Sequence, residues 1–277
     1  MAQIAGLKDF RQEGPPADIG TFQMPCSVLV FQFTFSGTTR TVSIRAGVRG
    51  WILVGNGTDF ATVMNLSITY LMALPQLGGM VSVSQGLHQV TIPILIRGPI
   101  AIIGAGLNST EFKMANGANC NMFEFTGATT DLFFTLRDIT CSGNKANNAS
   151  GSGLHVVPAG AGVFWDARVQ NVFFNDFKQR GIYTTMFWGW RVEDSLVEDC
   201  DDNGIEINGI TGGGWIINVL VLRAGLSGLV FDGGAYQILC SLVLSSENQR
   251  HGFFVNSSQS TFLGCTSNKN SLAANNT

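Results

Sequence analysis

One tetrapeptide recurs through the second half of the chain and limits what the chain can fold into. Gly181-Ile182-Tyr183-Thr184, Gly204-Ile205-Glu206-Ile207, Gly228-Leu229-Val230-Phe231 and Gly252-Phe253-Phe254-Val255 open with glycines 23, 24 and 24 residues apart. Gly153-Leu154-His155-Val156 precedes the first by 28. A fixed period in this range marks stacked repeats. No copy carries helical spacing. Each holds short alternating apolar runs broken by Gly, Asn, Asp and Ser, the pattern of strands and bends. Three short strands and three bends use about two dozen residues, one coil of a parallel β-helix. The predicted fold class is therefore all-β, a single-stranded parallel β-helix.

Side chains alternate along a strand, so the second and fourth residues of each tetrapeptide point inward and the third points out. Ile205, Ile207, Leu229, Phe231, Phe253 and Val255 are core candidates. A second strand is expected in each coil, over residues 190–197, 215–222 and 238–244. Asn171, Asp194 and Asn218 each stand ten residues before the next glycine. Asx side chains at one repeated bend bond local backbone and one another. The fourth copy slips by about one residue, to Ser241.

From about residue 57 onward the chain resembles the pectate-lyase-like superfamily of right-handed parallel β-helices, most of all its viral tail-spike and microbial surface members. The resemblance rests on Gly57-Thr58-Asp59-Phe60-Ala61-Thr62-Val63, Gly78-Gly79-Met80-Val81-Ser82-Val83, Ile102-Ile103-Gly104-Ala105-Gly106 and Leu136-Arg137-Asp138-Ile139-Thr140-Cys141-Ser142-Gly143-Asn144-Lys145. It implies right-handedness, a capping helix, a first coil, a second-coil turn and a loop-bearing coil. The superfamily hosts many functions. The WIDH-like strand and Arg-x-Pro-x-x-Arg segment of its pectate lyases are absent, as is the Arg-Ile-Lys of its polygalacturonase-like branch. Asp201-Asp202 matches that branch's paired Asp only superficially, and Arg250-His251-Gly252 is the approach to a repeat glycine.

Charged residues make up 13% of the chain, against a typical quarter, and there are 20 Phe and 34 Gly. That balance suits uncharged polar ladders and an outer face buried against copies of the same chain, so a homotrimer is expected. A net charge of −3 gives no footprint for nucleic acid. The first two dozen residues lack the pattern of a secretory signal peptide, and no apolar run is long enough to span a bilayer. The expected location is a virion or an extracellular surface. The six cysteines, at 26, 120, 141, 200, 240 and 265, include no CxxC pair and read as buried free thiols.

Residues 1–56 read as an N-terminal arm plus a small β segment, and residues 57–277 as about eight coils. The arm, broken at Gly14-Pro15-Pro16, is an attachment segment for other virion or surface-assembly proteins, an intersubunit segment, or a plain tail. Residues 28–35 and 41–44 suit a hairpin about Ser36-Gly37-Thr38. Thr58 or Asp59 caps a helix over 58–74, with Ala61, Met64, Ile68, Leu71 and Met72 on one face and Pro75 as its stop. That helix should cover the open end of the first coil. Strands are expected at 80–84, 92–96, 100–103, 111–114, 122–125 and 132–140, then a Gly/Asn/Ser/Lys loop over 142–152. No lid is written at the other end.

The outward ladder on the tetrapeptide strands reads His155, Tyr183, Glu206, Val230, Phe254. Two residues on it reads Val157, Thr185, Asn208, Asp232, Asn256. Rungs lie about 4.8 Å apart, which sets Glu206 and Asp232 about 8 Å apart. That is either the wider carboxylate separation of an inverting glycosidase or a polar face contacting sugar. Arg180, Tyr183, Glu206, Asn208 and Asp232 form the candidate ligand-binding set, with Glu206 and Asp232 the candidate catalytic pair. Glu198, Asp199, Asp201 and Asp202 around Cys200 are either a Ca²⁺ site or a solvated bend. No other cofactor is expected: His155 and His251 lack zinc spacing, and no HExxH or GxSxG occurs. Trp165, Trp190 and Trp215 recur at intervals of 25, with Tyr236 near the next copy, as a sugar-stacking stripe or a core stack. The leading expectation is a virion spike or surface adhesin that is structural and recognises a surface polysaccharide. The alternative is a polysaccharide lyase or glycoside hydrolase acting on acidic exopolysaccharide.

Overall fold

The computed structural model describes residues 27–35, 38–47, 50–74, 78–125, 133–157, 164–185, 187–209 and 212–271. The expected arm over the first two dozen residues lies outside them. Three antiparallel strands come first: β1 (Ser27–Phe35), β2 (Thr38–Gly47) and β3 (Gly50–Gly57). The hairpin was expected; β3 was not. β1 also pairs in parallel with β4 (Gly79–Val83), Val28 opposite Val81, so the N-terminal strands continue the sheet of the coils. Beyond them every strand pairing among the described residues is parallel.

Helix α1 (Phe60–Met72) closes that end. Asp59 caps it, its carboxylate accepting from the Thr62 N–H at 2.7 Å and from the Thr91 hydroxyl. Phe60, Ala61, Val63, Met64, Ile68 and Leu71 are buried, one apolar stripe laid across the first coil. The stripe covers strand edges that would otherwise invite pairing.

The coils have a rule simpler than the sequence suggested. Left-handed backbone recurs every five residues: Asp166, Asn171, Asp176; then Gly189, Asp194, Asp199; then Gly213, Asn218, Arg223; then Gln237, Leu242, Glu247; then Gln259, Gly264, Lys269. Each such residue turns the chain, so a coil is a set of short strands with two or three inward side chains apiece. The single second strand expected over 190–197 is therefore two, Arg191–Glu193 and Leu196–Glu198, parted at Asp194 (φ 48°). The same division parts Gly212–Ile217 from Leu220–Leu222 and Tyr236–Ser241 from Leu244–Ser246. The Asx bend is as expected, with Asn171 Nδ2 donating to Asp138 Oδ1 (2.7 Å) and Asn218 Nδ2 to Asp194 Oδ1 (2.8 Å). The fourth coil does not slip to Ser241: Leu242 itself takes the left-handed turn (φ 54°).

The tetrapeptide strands form a separate seven-stranded sheet, from Ile94–Ile96 through Phe123–Phe125, Leu154–Val156, Ile182–Thr184, Ile205–Ile207 and Leu229–Phe231 to Phe253–Val255. That sheet has seven rungs among the described residues, while the long sheet runs through eight successive parallel rungs from β4 to Thr261–Leu263. The repeat glycines sit where coils touch. A Cβ on Gly204 would stand 2.3 Å from Val221 and 2.8 Å from the Gly228 carbonyl. The core runs the length of the rod, through Val81, Ile102, Leu136, Val169, Val192, Ile216 and Ile238. It ends openly in the last described coil, where Val255 is 42% and Phe262 37% exposed.

The tryptophans do not form a column at intervals of 25. Trp165 pairs with Trp188, Trp190 is buried in the core, and Trp215 pairs with Arg191. The coil period here is 23 or 24, so an interval of 25 carries Trp190 across the bend from the position of Trp165, and sets Trp215 one place past Gly214, the residue that faces Trp190. The five described cysteines, Cys120, Cys141, Cys200, Cys240 and Cys265, are free thiols. Burial pushes Cys200 up to about 12, away from the reactive thiolate.

Candidate functional site

The outward ladder is built as its alternation requires. His155 lies opposite Tyr183, Tyr183 opposite Glu206, Glu206 opposite Val230 and Val230 opposite Phe254. Glu124 extends it by one rung, opposite His155. At its centre the side chains converge. The His155 and Tyr183 rings stack at 5.2 Å, and the Arg180 guanidinium lies over the Tyr183 ring at 4.7 Å. Arg180 precedes the repeat glycine Gly181, so it stands at the bend and reaches forward one coil. Its Nε donates to Glu206 Oε2 at 2.5 Å and its Nη2 pairs with Asp202 Oδ2 at 3.0 Å. Asn203 Nδ2 donates to the same Glu206 oxygen at 2.7 Å. Glu206 points outward yet is only 7% exposed, because Arg180 and Asn203 cover it.

Asn208 and Asp232 stand two residues along, at the end of the strand. Asn208 Oδ1 accepts from the Gly209 N–H and Asp232 Oδ1 from the Gly233 N–H, both at 2.7 Å. Asn256 Nδ2 donates to Asp232 Oδ1, also at 2.7 Å. These are bend-making Asx contacts repeated coil to coil. Of the five expected ligand-binding residues, Arg180, Tyr183 and Glu206 meet in one cluster, and Asn208 and Asp232 form a rim beside it. Glu206 Oε2 is held by two donors, Arg180 and Asn203, and Asp232 Oδ1 by the Gly233 N–H and the Asn256 amide.

The acidic run does not converge either. Glu198 and Asp199 both pair with Arg223, Asp201 bridges Lys145 (3.1 Å) and Lys178 (2.7 Å), and Asp202 belongs to Arg180. The Asp201 carboxyl sits below its ordinary value: burial pushes it up, but hydrogen bonds and charge from Lys178 and Lys145 outweigh that. Each of these four carboxylates already faces at least one cation, a place that Ca²⁺ would have to take over, and Arg180 is shared with Glu206. Lys145 comes from the 142–152 loop, folded about a short 3₁₀ turn (Lys145–Asn147), and it also donates to the Asp199 carbonyl at 2.8 Å. The loop is thus pinned across two coils.

Electrostatics set the protonation states at the ladder. Burial holds His155 below its ordinary value of 6.5; Glu124 opposes this and Arg180 reinforces it. Burial and Glu206 push the Tyr183 phenol up, against Arg180. At neutral pH the site presents a neutral imidazole, a protonated phenol and a guanidinium held between two carboxylates. His155 Nδ1 is buried without a hydrogen-bond partner. Such a surface offers directional donors and acceptors beside aromatic faces, which suits hydroxyl-rich ligands. The sequence placed His155 on the ladder without marking it as a site residue, and it read Asp202 as part of either a Ca²⁺ site or a solvated bend. Only the coil register shows Arg180 standing between Asp202 and Tyr183.

No protein-family model matches the chain, and no curated protein matches its sequence. Solved structures do match. The A-module of mannuronan C-5 epimerase AlgE4 from Azotobacter vinelandii superimposes with a TM-score of 0.57 at 16% identity, over 78% of this chain and 75% of that one. The ORF18 protein of Geobacillus virus E2 gives 0.61 at 13%, over 81% of this chain and 54% of that one. The enzymatically active domain of tailspike protein 2 from bacteriophage CBA120 gives 0.58 at 15%, over 98% of this chain and 49% of that one. The chain spans about half the length of the two phage proteins. At these identities the likeness speaks for architecture, and it agrees with the strand register: the chain has the right-handed parallel β-helix fold.

Proposed function

We propose that the chain is a glycan-recognising spike or adhesin of a virion or cell surface, working as a homotrimer, and that it reads its ligand on the seven-stranded sheet. The observation that carries this is the Arg180–Tyr183–His155–Glu206 cluster: aromatic faces and oriented polar groups on consecutive rungs of the sheet. A saccharide chain lying along the rungs meets one such group per coil. Support also comes from the fold, which this chain shares with a phage tailspike and a mannuronan epimerase module. The test is a double variant, Glu206→Gln with Asp232→Asn, assayed against host surface polysaccharide. Glycan binding should weaken at least about tenfold while light scattering still reports three chains. Monomers with unchanged affinity would show instead that this face joins subunits.

Cleavage of the bound polysaccharide is the second reading, and one feature favours it. His155 is a neutral imidazole stacked at 5.2 Å on a protonated phenol, the makings of a base and an acid. Incubation with exopolysaccharide should then release reducing ends or unsaturated products, and His155→Gln should abolish them. Binding without any such product leaves the chain an adhesin.

A further inference from the structure

We infer a second saccharide site, for a sugar bearing a carboxylate, on the outer face of the long sheet. It is built by Arg168, Arg191, Trp188, Trp215 and Tyr236, and it does not depend on the reading of the seven-stranded sheet. Arg168, Arg191 and Trp215 occupy three successive rungs of one column. Their inward neighbours Val169, Val192 and Ile216 are buried, so this column faces out. Like charges directly opposite one another on neighbouring strands repel. In a chain with only 16 Lys and Arg, two arginines on adjacent rungs need an explanation. Arg168 answers to Asp166 at 3.2 Å. Arg191 does not have an equal partner. Its Nη1 lies 3.6 Å from Glu193, beyond hydrogen-bonding distance, and its Nε is buried with no acceptor.

Arg191 is nevertheless held in place. Its guanidinium lies 4.9 Å from the centre of the Trp215 ring, and its side chain is 41% exposed. The buried Nε is out of a ligand's reach, but the side chain is 41% exposed and Nη1 stands 3.6 Å off Glu193, so the outer edge of a planar cation fixed on an aromatic surface faces solvent, and a carboxylate matches that edge two bonds at once. Around the adjacent bend stands a second aromatic pair. Trp188 and Tyr236 meet edge to face at 5.3 Å, two coils apart. They meet because Gly212 lies between them: a Cβ there would stand 2.8 Å from the Tyr236 ring. The two aromatic groups flank the arginines over three coils. Rings offer stacking surface to the carbon face of a sugar, while Arg191 reads its acid group.

The alternative occupant is another copy of the chain. The exposed aliphatic residues Leu220, Leu242 and Leu263 lie farther along the same sheet, just beyond, on and just before the next bend of their coils, and a contact between copies would use those first.

Calorimetry on the intact chain tests the inference with a glucuronate tetramer, the matching glucose tetramer and citrate. The glucuronate tetramer should bind, and the other two should bind at least about tenfold more weakly. Trp215→Ala and Arg191→Gln should each cost about tenfold or more, Arg191→Lys nearly as much, since lysine lacks the planar fork. The Glu206→Gln, Asp232→Asn double variant should leave this affinity unchanged. Because Arg191 is half exposed, its variants report even if Trp215→Ala unfolds. No binding of the glucuronate tetramer overturns the proposal. Equal binding of citrate reduces the site to an anion contact, and equal binding of the glucose tetramer removes the role of Arg191. Loss of affinity in the double variant places the acidic sugar on the other sheet. A fall in molecular mass on Arg191→Gln makes the face a contact between copies.

Discussion

Leu242 is the residue at which this chain departs most plainly from its own rule. The corresponding positions of earlier coils are Asn171, Asp194 and Asn218, side chains that tolerate left-handed backbone because they bond it locally. Leucine has no such compensation, and this one is also 62% exposed. Left-handed backbone costs a β-carbon residue roughly 1–2 kcal/mol. Leu242→Asn should therefore raise stability by about 1 kcal/mol, read from denaturant unfolding. His155 supplies a second residue-scale test. Its folded-state value is depressed, so the stability it contributes is complete above 6.5 and is lost as pH falls through the depressed value. An NMR titration should show a midpoint below 6.5, and Arg180→Gln should move it up, since Arg180 is one cause of the depression. Residue-scale legibility followed side-chain chemistry. The Asx turns could be read from sequence because Asn and Asp prefer them. The turns at Arg223, Gln237, Leu242, Glu247 and Lys269 could not, because nothing in those side chains announces left-handed backbone. The tryptophan interval misled for a related reason: without the bends, 25 looks like a coil.

At the scale of elements, coils stay in register because large residues on one rung meet small ones on the next. Trp190 is buried, and Gly214 stands on the following coil against its indole. A Cβ at Gly214 would lie 2.2 Å from Trp190 Cε2, so Gly214→Ala must displace a fully buried ring. A loss of about 1–3 kcal/mol is expected, as for overpacked cores. Polar rungs do the same work by hydrogen bonding. Asn248 is 0% exposed; its Oδ1 accepts from the Ala224 N–H at 2.9 Å, and its Nδ2 donates to Asn270 Oδ1 at 2.7 Å and Ser245 Oγ at 3.0 Å. Asn248→Ala orphans buried groups on two coils and should cost about 3 kcal/mol, measured as a shift in the unfolding midpoint. Element type was legible wherever a local signal existed: the Asp59 cap and the apolar stripe of α1, and the glycine-led strands. β3 was missed because its apolar residues, Trp51-Ile52-Leu53-Val54, run together without alternation, and Gly86–Val90 because it carries polar or glycine residues where a strand usually shows apolar alternation. Their pairing comes from neighbours rather than from their own sequence.

For the whole molecule, a rod of coils is close to a one-dimensional stack, each coil held chiefly by the two beside it. Such a stack need not be equally stable along its length. One end is closed by α1, which buries Phe60, Met64 and Ile68 against the first coils. At the other, the inward positions of the last described coil stand open, with Val255 42% and Phe262 37% exposed, and Thr261–Leu263 and Thr266–Asn268 have a partner on one side only among the described residues. Opening the last coil therefore exposes little that is not already wet, and opening the middle breaks two interfaces and bares a continuous core. Native-state hydrogen exchange of this chain should accordingly form a gradient. Amides of Thr261–Leu263 and Thr266–Asn268 should exchange fastest, those of Arg168–Asn175 and Phe134–Ser142 slowest, and protection should rise coil by coil between them. The gradient also separates the fold from the proposed assembly. If trimerisation covers the long sheet, protection of Leu220–Leu222 and Tyr236–Ser241 should increase with protein concentration while that of Phe134–Ser142 does not move. Uniform protection along the rod at every concentration would mean that the coils unfold together and that the open end is not a weak point.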